Sequence, residues 1–293
     1  MSDIRFVALM EDNLCGKGLY VEHGLAMYIE TKKHKLLVDT GQSERTWENA
    51  KVKGVDISMV DTVILSHGHY DHSGGLMKFA SMNSHADIYM RDNAGGEYYS
   101  YKDGSHRYIG IDKEIVTLPK VHLVSGNKVI DDELSLFTNV EPKRSWPKGN
   151  NRLHEMKNGE FVQDRFSHEQ YLVIRYGNEH GNENRNEYGN EHGNEYENGN
   201  VKYALISGCA HNGILNILDT FRKMYGQDPS IVISGFHMIQ QEYSDDDIEE
   251  IKNVAKELRK MDTIFYTGHC TGETAFGILK EHMGEKLFAI SRI

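Results

Sequence analysis

The stretch VILSHGHYDHSGG, Val63 to Gly75, places His67, His69, Asp71 and His72 within six consecutive residues, directly after a short apolar run. Imidazole nitrogens and carboxylate oxygens are ligands that zinc takes at about 2.0–2.2 Å, and catalytic zinc sites keep one position open for water. In an extended strand the side chains alternate, so His67 and His69 are expected to point the same way. Gly74 and Gly75 permit a tight turn into a helix, which puts Asp71 and His72 at that turn. One pair of ligands then serves one metal and the other pair a second metal nearby. Surface polarity of a loop is a poor account of four ligand types at this density between an apolar strand and Gly-Gly.

Elements that position such a cluster are readable on both sides of it. Short strands are expected at Ile4–Met10, in LAMYIET and KLLVDTG (a hairpin turning at Lys32 to His34), at Thr62–Gly68 and in ADIYMRD, with a short helix in GGLMKFASMN. Residues 92 to 165 carry weak signals, with strands at Val121–Val124 and Leu134–Thr138, and EPKRSWPKGNNRLHEMKNGE reads as loop. From Gln170 onward QYLVIRY and KYALISG read as adjacent strands, ILNILDTFRKMYG as a helix and SIVISG as a strand. SDDDIEEIKNVAKELRKM is an amphipathic helix capped by Ser244, with Ile248, Ile251, Val254, Ala255, Leu258 and Met261 on its stripe. DTIFYTG is a strand and Gly272–His282 a helix. A strand-rich first half and an alternating second half fit a layered α/β fold with helices outside two sheets. NEHGNENRNEYGNEHGNEYENGN, residues 178–200, has a four-residue period and almost no apolar content; it is expected as a flexible loop inserted in a single domain of 1–293.

The chain's 293 residues can bury a sizeable core, and 39% hydrophobic with 26% charged residues is ordinary for a globular protein. A net charge of −11 repels a phosphate-rich polymer, so no nucleic acid is expected as partner. Cys15, Cys209 and Cys270, odd in number and widely spaced, do not form a disulfide framework. With no signal-like N-terminus and no long apolar run, a cytoplasmic location and no membrane partner are expected. There is no H-x-E-x-x-H protease motif, no P-loop and no G-x-G-x-x-G.

H-x-H-x-D-H after a strand resembles the signature of the metallo-β-lactamase-fold superfamily, and LLVDTG (Leu36–Gly41) resembles that fold's first motif. EDNLCGKGLYVEHGLAMYIE, SGCAHNGILNIL, SGFHM and GHCTGE are together similar to the branch of 7,8-dihydropterin-6-methyl-4-(β-D-ribofuranosyl)aminobenzene-5′-phosphate synthase-like proteins. The resemblance implies a four-layer αββα sandwich and two divalent metal ions, zinc first, with iron or manganese also suited to such ligands. It implies that Asp39, which taken singly reads as a turn aspartate, braces the metal loop, and that Asp71 serves both as ligand and in catalysis. His269 is implied on the second metal with Asp71 and His72. GCAH stands where the superfamily usually has a bridging aspartate; either His211 or Cys209 ligates there, with His211 favoured. His168 is a candidate for the first metal with His67 and His69, or for substrate. His237 is expected at substrate or behind the ligands, and His23, next to Glu22, near the pocket as a substrate contact. His34, His85, His106, His122, His154 and His282 are expected to be structural or exposed.

The resulting function is a metal-dependent hydrolase or transferase that uses a metal-activated water on a small molecule, phosphorylated or pterin-like by resemblance. The competing reading is a metal-containing sensor or binding module without turnover, suggested by the missing bridging aspartate. An RNA nuclease of the same fold would need a basic face, which the charge argues against.

Overall fold

The computed structural model describes residues 4–13, 15–144, 146–177 and 201–293. Among them are three sheets. The first contains β1 (Arg5–Met10), β2 (Ala26–Glu30), β3 (Lys35–Val38), β4 (Thr62–Ile64), β5 (Asp87–Arg91) and, at its edge, β8 (Val121–Val124). β1, β2 and β3 pair antiparallel, and β3, β4, β5 and β8 pair parallel. A small antiparallel sheet has the order β12-β11-β6-β7, from β6 (Tyr98–Lys102), β7 (Ser105–Tyr108), β11 (Leu153–Lys157) and β12 (Glu160–Gln163). The third sheet contains β9 (Lys128–Val129), β10 (Leu134–Phe137), β13 (Tyr171–Tyr176), β14 (Lys202–Ile206), β15 (Ile231–Ile233), β16 (Ile264–Thr267) and β17 (Leu287–Ala289). Its β14 to β17 run parallel, while β9, β10, β13 and β14 pair antiparallel.

Alternation along the strands explains the layering. On β3, Leu36 and Val38 face the second large sheet, whereas Leu37 faces the helices. On β13 and β14, Leu172, Ile174, Ala204 and Ile206 enter the same inter-sheet core, and Tyr171, Val173 and Leu205 point outward under helices. Both faces are buried, so these strands read as unbroken apolar runs. The outer layers are α1 (Arg45–Val52) and α3 (Leu76–Met82) on the first sheet, with the short α2 (Tyr70–Ser73) before α3. On the other sheet lie α4 (Ile214–Tyr225), α5 (Asp245–Arg259) and α6 (Glu273–Met283). The result is the four-layer αββα sandwich. Ser244 caps α5 in a capping box with Asp247, and Ile251, Ala255 and Leu258 are buried from its stripe.

Several sequence expectations shift. β4 stops at Ile64 rather than running to Gly68. The supposed loop of residues 141–160 contains β11, and the small sheet as a whole was not legible. Gly74 and Gly75 have ordinary helical φ of −63° and −82°. They are needed for close approach instead: a Cβ would lie 1.9 Å from the Gln42 carbonyl oxygen at Gly74 and 2.4 Å from that of Thr40 at Gly75. The 178–200 repeat, with His180 and His192, lies outside the described residues. Among the described residues no helix is long and apolar enough to cross a membrane, and all three cysteines are free.

His34, at the β2–β3 turn, ties this turn to both large sheets. Its Nδ1 meets Asp61 at 2.8 Å ahead of β4, and its Nε2 meets Asp131 ahead of β10. The hydrogen bond to Asp61, working against partial burial and helped by Asp131, raises its pKa to about 9. A raised folded-state pKa stabilises fully below the unfolded value of about 6.5 and is lost as pH climbs through the folded one. The destabilisation caused by His34→Ala, measured by urea unfolding, is therefore expected to be largest at pH 6 and to fade as pH passes about 9; an equal loss at both ends of that range would refute the clamp. Phe79 is fully buried with its ring 5.6 Å from that of Trp47. Phe79→Ala should cost about 3–5 kcal/mol in the same assay.

Candidate metal centre

The site forms where β3, β4, β14, β15 and β16 end. Left-handed non-glycine residues follow four of these strands: Asp39 (φ 60°), Ala210 (54°), His237 (49°) and His269 (49°). Such backbone costs free energy and persists where the surroundings over-determine it. Here it turns each chain sharply inward after its strand.

Asp39 is fully buried. Its Oδ1 accepts the Ser66 N–H at 2.7 Å, and its Oδ2 accepts both the Ser66 hydroxyl and His72 Nδ1–H, each at 2.7 Å. The Ser66 proton is thereby committed to Asp39, so the 2.8 Å contact between Ser66 Oγ and His67 Nδ1 has His67 as donor. Both histidines are left with a bare Nε2. His211 reaches the same state by another route. Asn150 donates to the His211 carbonyl at 2.7 Å, which turns its Oδ1 toward His211 Nδ1–H at 2.9 Å. Phe166 stacks on the His211 ring at 4.4 Å between centroids.

The ligand atoms of His67, His69 and His211 lie within 4.8 Å of one another, as do those of His67, His72 and Cys209. His67 and His69 converge although they sit in a loop and not on an extended strand; their rings meet edge to face at 4.5 Å. Nε2 of His67, His69, His211 and His269, and both nitrogens of His237, are buried without a hydrogen-bond partner. An unpartnered buried polar atom costs about 1–3 kcal/mol, so the Nε2 lone pairs gathered by His67, His69 and His211 fit a bound cation. Burial, reinforced by the neighbouring histidines, holds His67 and His211 well below the usual imidazole range, and burial takes His69 down to about 3. All three are neutral, the form in which imidazole ligates.

Beside them lies a charged half. Asp71 Oδ2 is 3.4 Å from His269 Nε2, 3.6 Å from His72 Nε2 and 3.5 Å from His23 Nε2. His72 Nε2 also lies 3.2 Å from Cys209 Sγ. Asp12 bonds His269 Nδ1 on one oxygen and His23 Nδ1 at 2.8 Å on the other. Burial opposes charge on His269, yet Asp12 and Asp71 together raise its pKa well above the ordinary value. Burial likewise opposes the Asp71 carboxylate, and His72, His269 and His23 overcome it and hold its pKa far down.

Asp71, His72 and His269 lie together as expected, while the partner that joins His67 and His69 is His211, expected at the bridging position, and not His168. His168 departs from expectation. Its Nδ1 accepts the Gly68 N–H at 3.0 Å and its Nε2 meets Asp164 at 3.0 Å, so neither nitrogen is left for a metal. It supports the loop behind His67 instead, under Tyr98 at 4.0 Å between rings. Cys209 and His211 both face the centre, so GCAH supplies two inward groups where the alternatives were one or the other. His237 stands 4.2 Å from the His211 ring, and its ligand atom lies within 4.8 Å of those of Cys209 and His211. His23, half exposed, joins Asp71 at its rim. Of the histidines set aside, His122 pairs with Asp87, and His106 with His154.

Sequence reasoning missed Asp12, Glu11, Ser66, Asn150 and Glu169. Glu11 accepts the His269 N–H, and Glu169 accepts the His211 N–H at 2.8 Å. A signal existed for the first two: adjacent acids directly after the apolar β1, where burial was to be expected. Asn150 had none, being one of several asparagines in a Gly-Asn stretch.

The fold matches that of metallo-β-lactamase-type structures. A family profile described as "Metallo-beta-lactamase superfamily" matches residues 19–151 of the chain. Two proteins of Methanocaldococcus jannaschii are each 26% identical to it. One is an uncharacterised protein, aligned over 94% of this chain and 94% of its own. The other is a 7,8-dihydropterin-6-methyl-4-(β-D-ribofuranosyl)-aminobenzene-5′-phosphate synthase, aligned over 97% of this chain and 93% of its own. Among solved structures, a metal-dependent hydrolase of the β-lactamase superfamily is 29% identical with a TM-score of 0.74, covering 98% of this chain and 95% of its own.

Groups behind metal ligands typically contribute ten- to a hundredfold to metal affinity. Asn150→Ala removes the acceptor that fixes the His211 tautomer. We expect zinc affinity, read by chelator competition, to fall by about that factor with the far-ultraviolet circular dichroism spectrum unchanged; full affinity in the variant would contradict the arrangement.

Proposed function

We propose that the chain is a metal-dependent hydrolase or transferase acting on a small molecule. The observation that carries the reading is the convergence of buried, unpartnered imidazole Nε2 atoms on one centre. Two divalent cations are assigned, zinc first, with iron or manganese as alternatives. His67, His69 and His211 would hold one. Asp71, His72 and His269 would hold the other, with Cys209 beside His72. When bound, such cations polarise an ester or phosphoester oxygen and bring the pKa of water to about 7.

The chain's own residues have separable tasks. Asp39 and Ser66 keep the Nε2 atoms of His67 and His72 unprotonated. Asn150 does so for His211. His269, held protonated by Asp12 and Asp71, would have to give up its Nε2 proton before that nitrogen could serve as a ligand. His23 Nε2, 3.5 Å from Asp71 and half exposed, is placed to hold or pass a proton at the rim. The name of one Methanocaldococcus relative includes a pterin and a phosphate, which supports that substrate class. A thiol, Cys209, in place of the expected bridging aspartate favours the second reading, a metal-containing sensor without turnover.

The two readings part in one experiment. Metal content is measured by plasma mass spectrometry, and turnover is screened on phosphodiesters, thioesters and lactones. We expect stoichiometric metal, turnover on at least one class, and loss of both in the His67→Ala, His69→Ala double variant. Full metal with no turnover on any class would leave the sensor reading.

A further inference from the structure

The turn Lys148–Arg152 has two faces. Inward, buried Asn150 fixes His211, and a Cβ on Gly149 would lie 3.2 Å from the His237 ring. Outward, the same turn lines a hollow of about 370 Å³ with Lys148, Gly149, Asn151 and Arg152. Lys102, at the end of β6, and Gln240 and Gln241, which follow β15, complete much of its wall. Glu242 is the one acidic residue lining it. In a chain of net charge −11, this hollow gathers three cations against one carboxylate. Lys148 is committed to Asp247 at 2.6 Å, but neither Lys102 nor Arg152 has an ion-pair partner among the described residues.

β6 links the hollow to the centre. Tyr98, at its start, packs against His168 and His69, and Lys102 lies on the same face of the strand four residues on. His237 is 7% exposed, with both ring nitrogens unpartnered, one residue-width behind Gly149. The hollow is therefore one turn of chain away from the imidazole cluster.

We propose that this hollow is an anion subsite that takes a phosphate group of the substrate. Arg152 offers a planar fork to two phosphate oxygens, and Lys102 offers a point charge. The side-chain amides of Asn151, Gln240 and Gln241 can donate to the oxygens that remain. The volume accommodates a phosphate together with part of the molecule that carries it. The inference rests on the small-molecule reading above and assigns to it a phosphorylated substrate.

The test uses the full-length, metal-loaded protein and inorganic phosphate as probe, titrated calorimetrically at low salt. We expect the Lys102→Ala, Arg152→Ala double variant to bind phosphate at least tenfold more weakly than wild type, with metal content unchanged. Arg152→Lys should recover part of the affinity, which separates loss of charge from misfolding. Unchanged affinity in the double variant would place phosphate on the metals and overturn the subsite, and so would the absence of phosphate binding to wild type. Neither result depends on turnover, so failure of the subsite is distinguishable from failure of the hydrolase reading, which the substrate screen decides.

Discussion

A buried carboxylate with no cation beside it must be satisfied by hydrogen-bond donors, and at Asp39 that requirement organises the centre. The donors are the backbone and hydroxyl of Ser66 and the Nδ1–H of His72. Since one hydroxyl has one proton, satisfying Asp39 dictates which nitrogen of His67 is protonated as well as which of His72. A single charge thus sets two tautomers and anchors the loop that carries them. Asn150 repeats the logic at His211, whereas Asp12 and Asp71 hold His269 as a charged imidazolium.

The sandwich makes this arrangement affordable. Parallel strands deliver their ends to one edge of each sheet, and sharp left-handed turns at Asp39, Ala210, His237 and His269 swing side chains into the gap between sheets. The backbone strain is held in place by cores on both sides of each sheet. Stability and reactivity are separated in space: apolar residues fill the three inter-layer cores, and the polar, strained residues lie at the strand ends.

Much of this was legible in the sequence. The β2–β3 hairpin, the pairing of QYLVIRY with KYALISG, α5 with its Ser244 cap, and the crowding of His67 to His72 follow from local pattern, which operates over a few residues. What was hidden depends on long-range partners. His168 has the spacing of a ligand, but Gly68 and Asp164 occupy both of its nitrogens, and no periodicity reports that. Asn150 looks like any loop asparagine until His211, 61 residues on, is placed against it. The small sheet escaped notice because its strands are half exposed and rich in Tyr, Lys and Glu, so they lack the apolar alternation that marks a buried strand.

The β13–β14 hairpin has two unlike ends. Leu172 pairs with Ile206 next to Glu169, Cys209 and His211, while Tyr176 pairs with Lys202 at the other end, about 14 Å further along the strand. Between the two ends the ladder is continuous and pinned on both faces. The connection from 176 to 202 can therefore lengthen, shorten or drift in composition over evolutionary time without registering at the imidazoles. The same separation makes it a natural graft point, where a reporter domain or an immobilisation tag would leave the chemistry undisturbed.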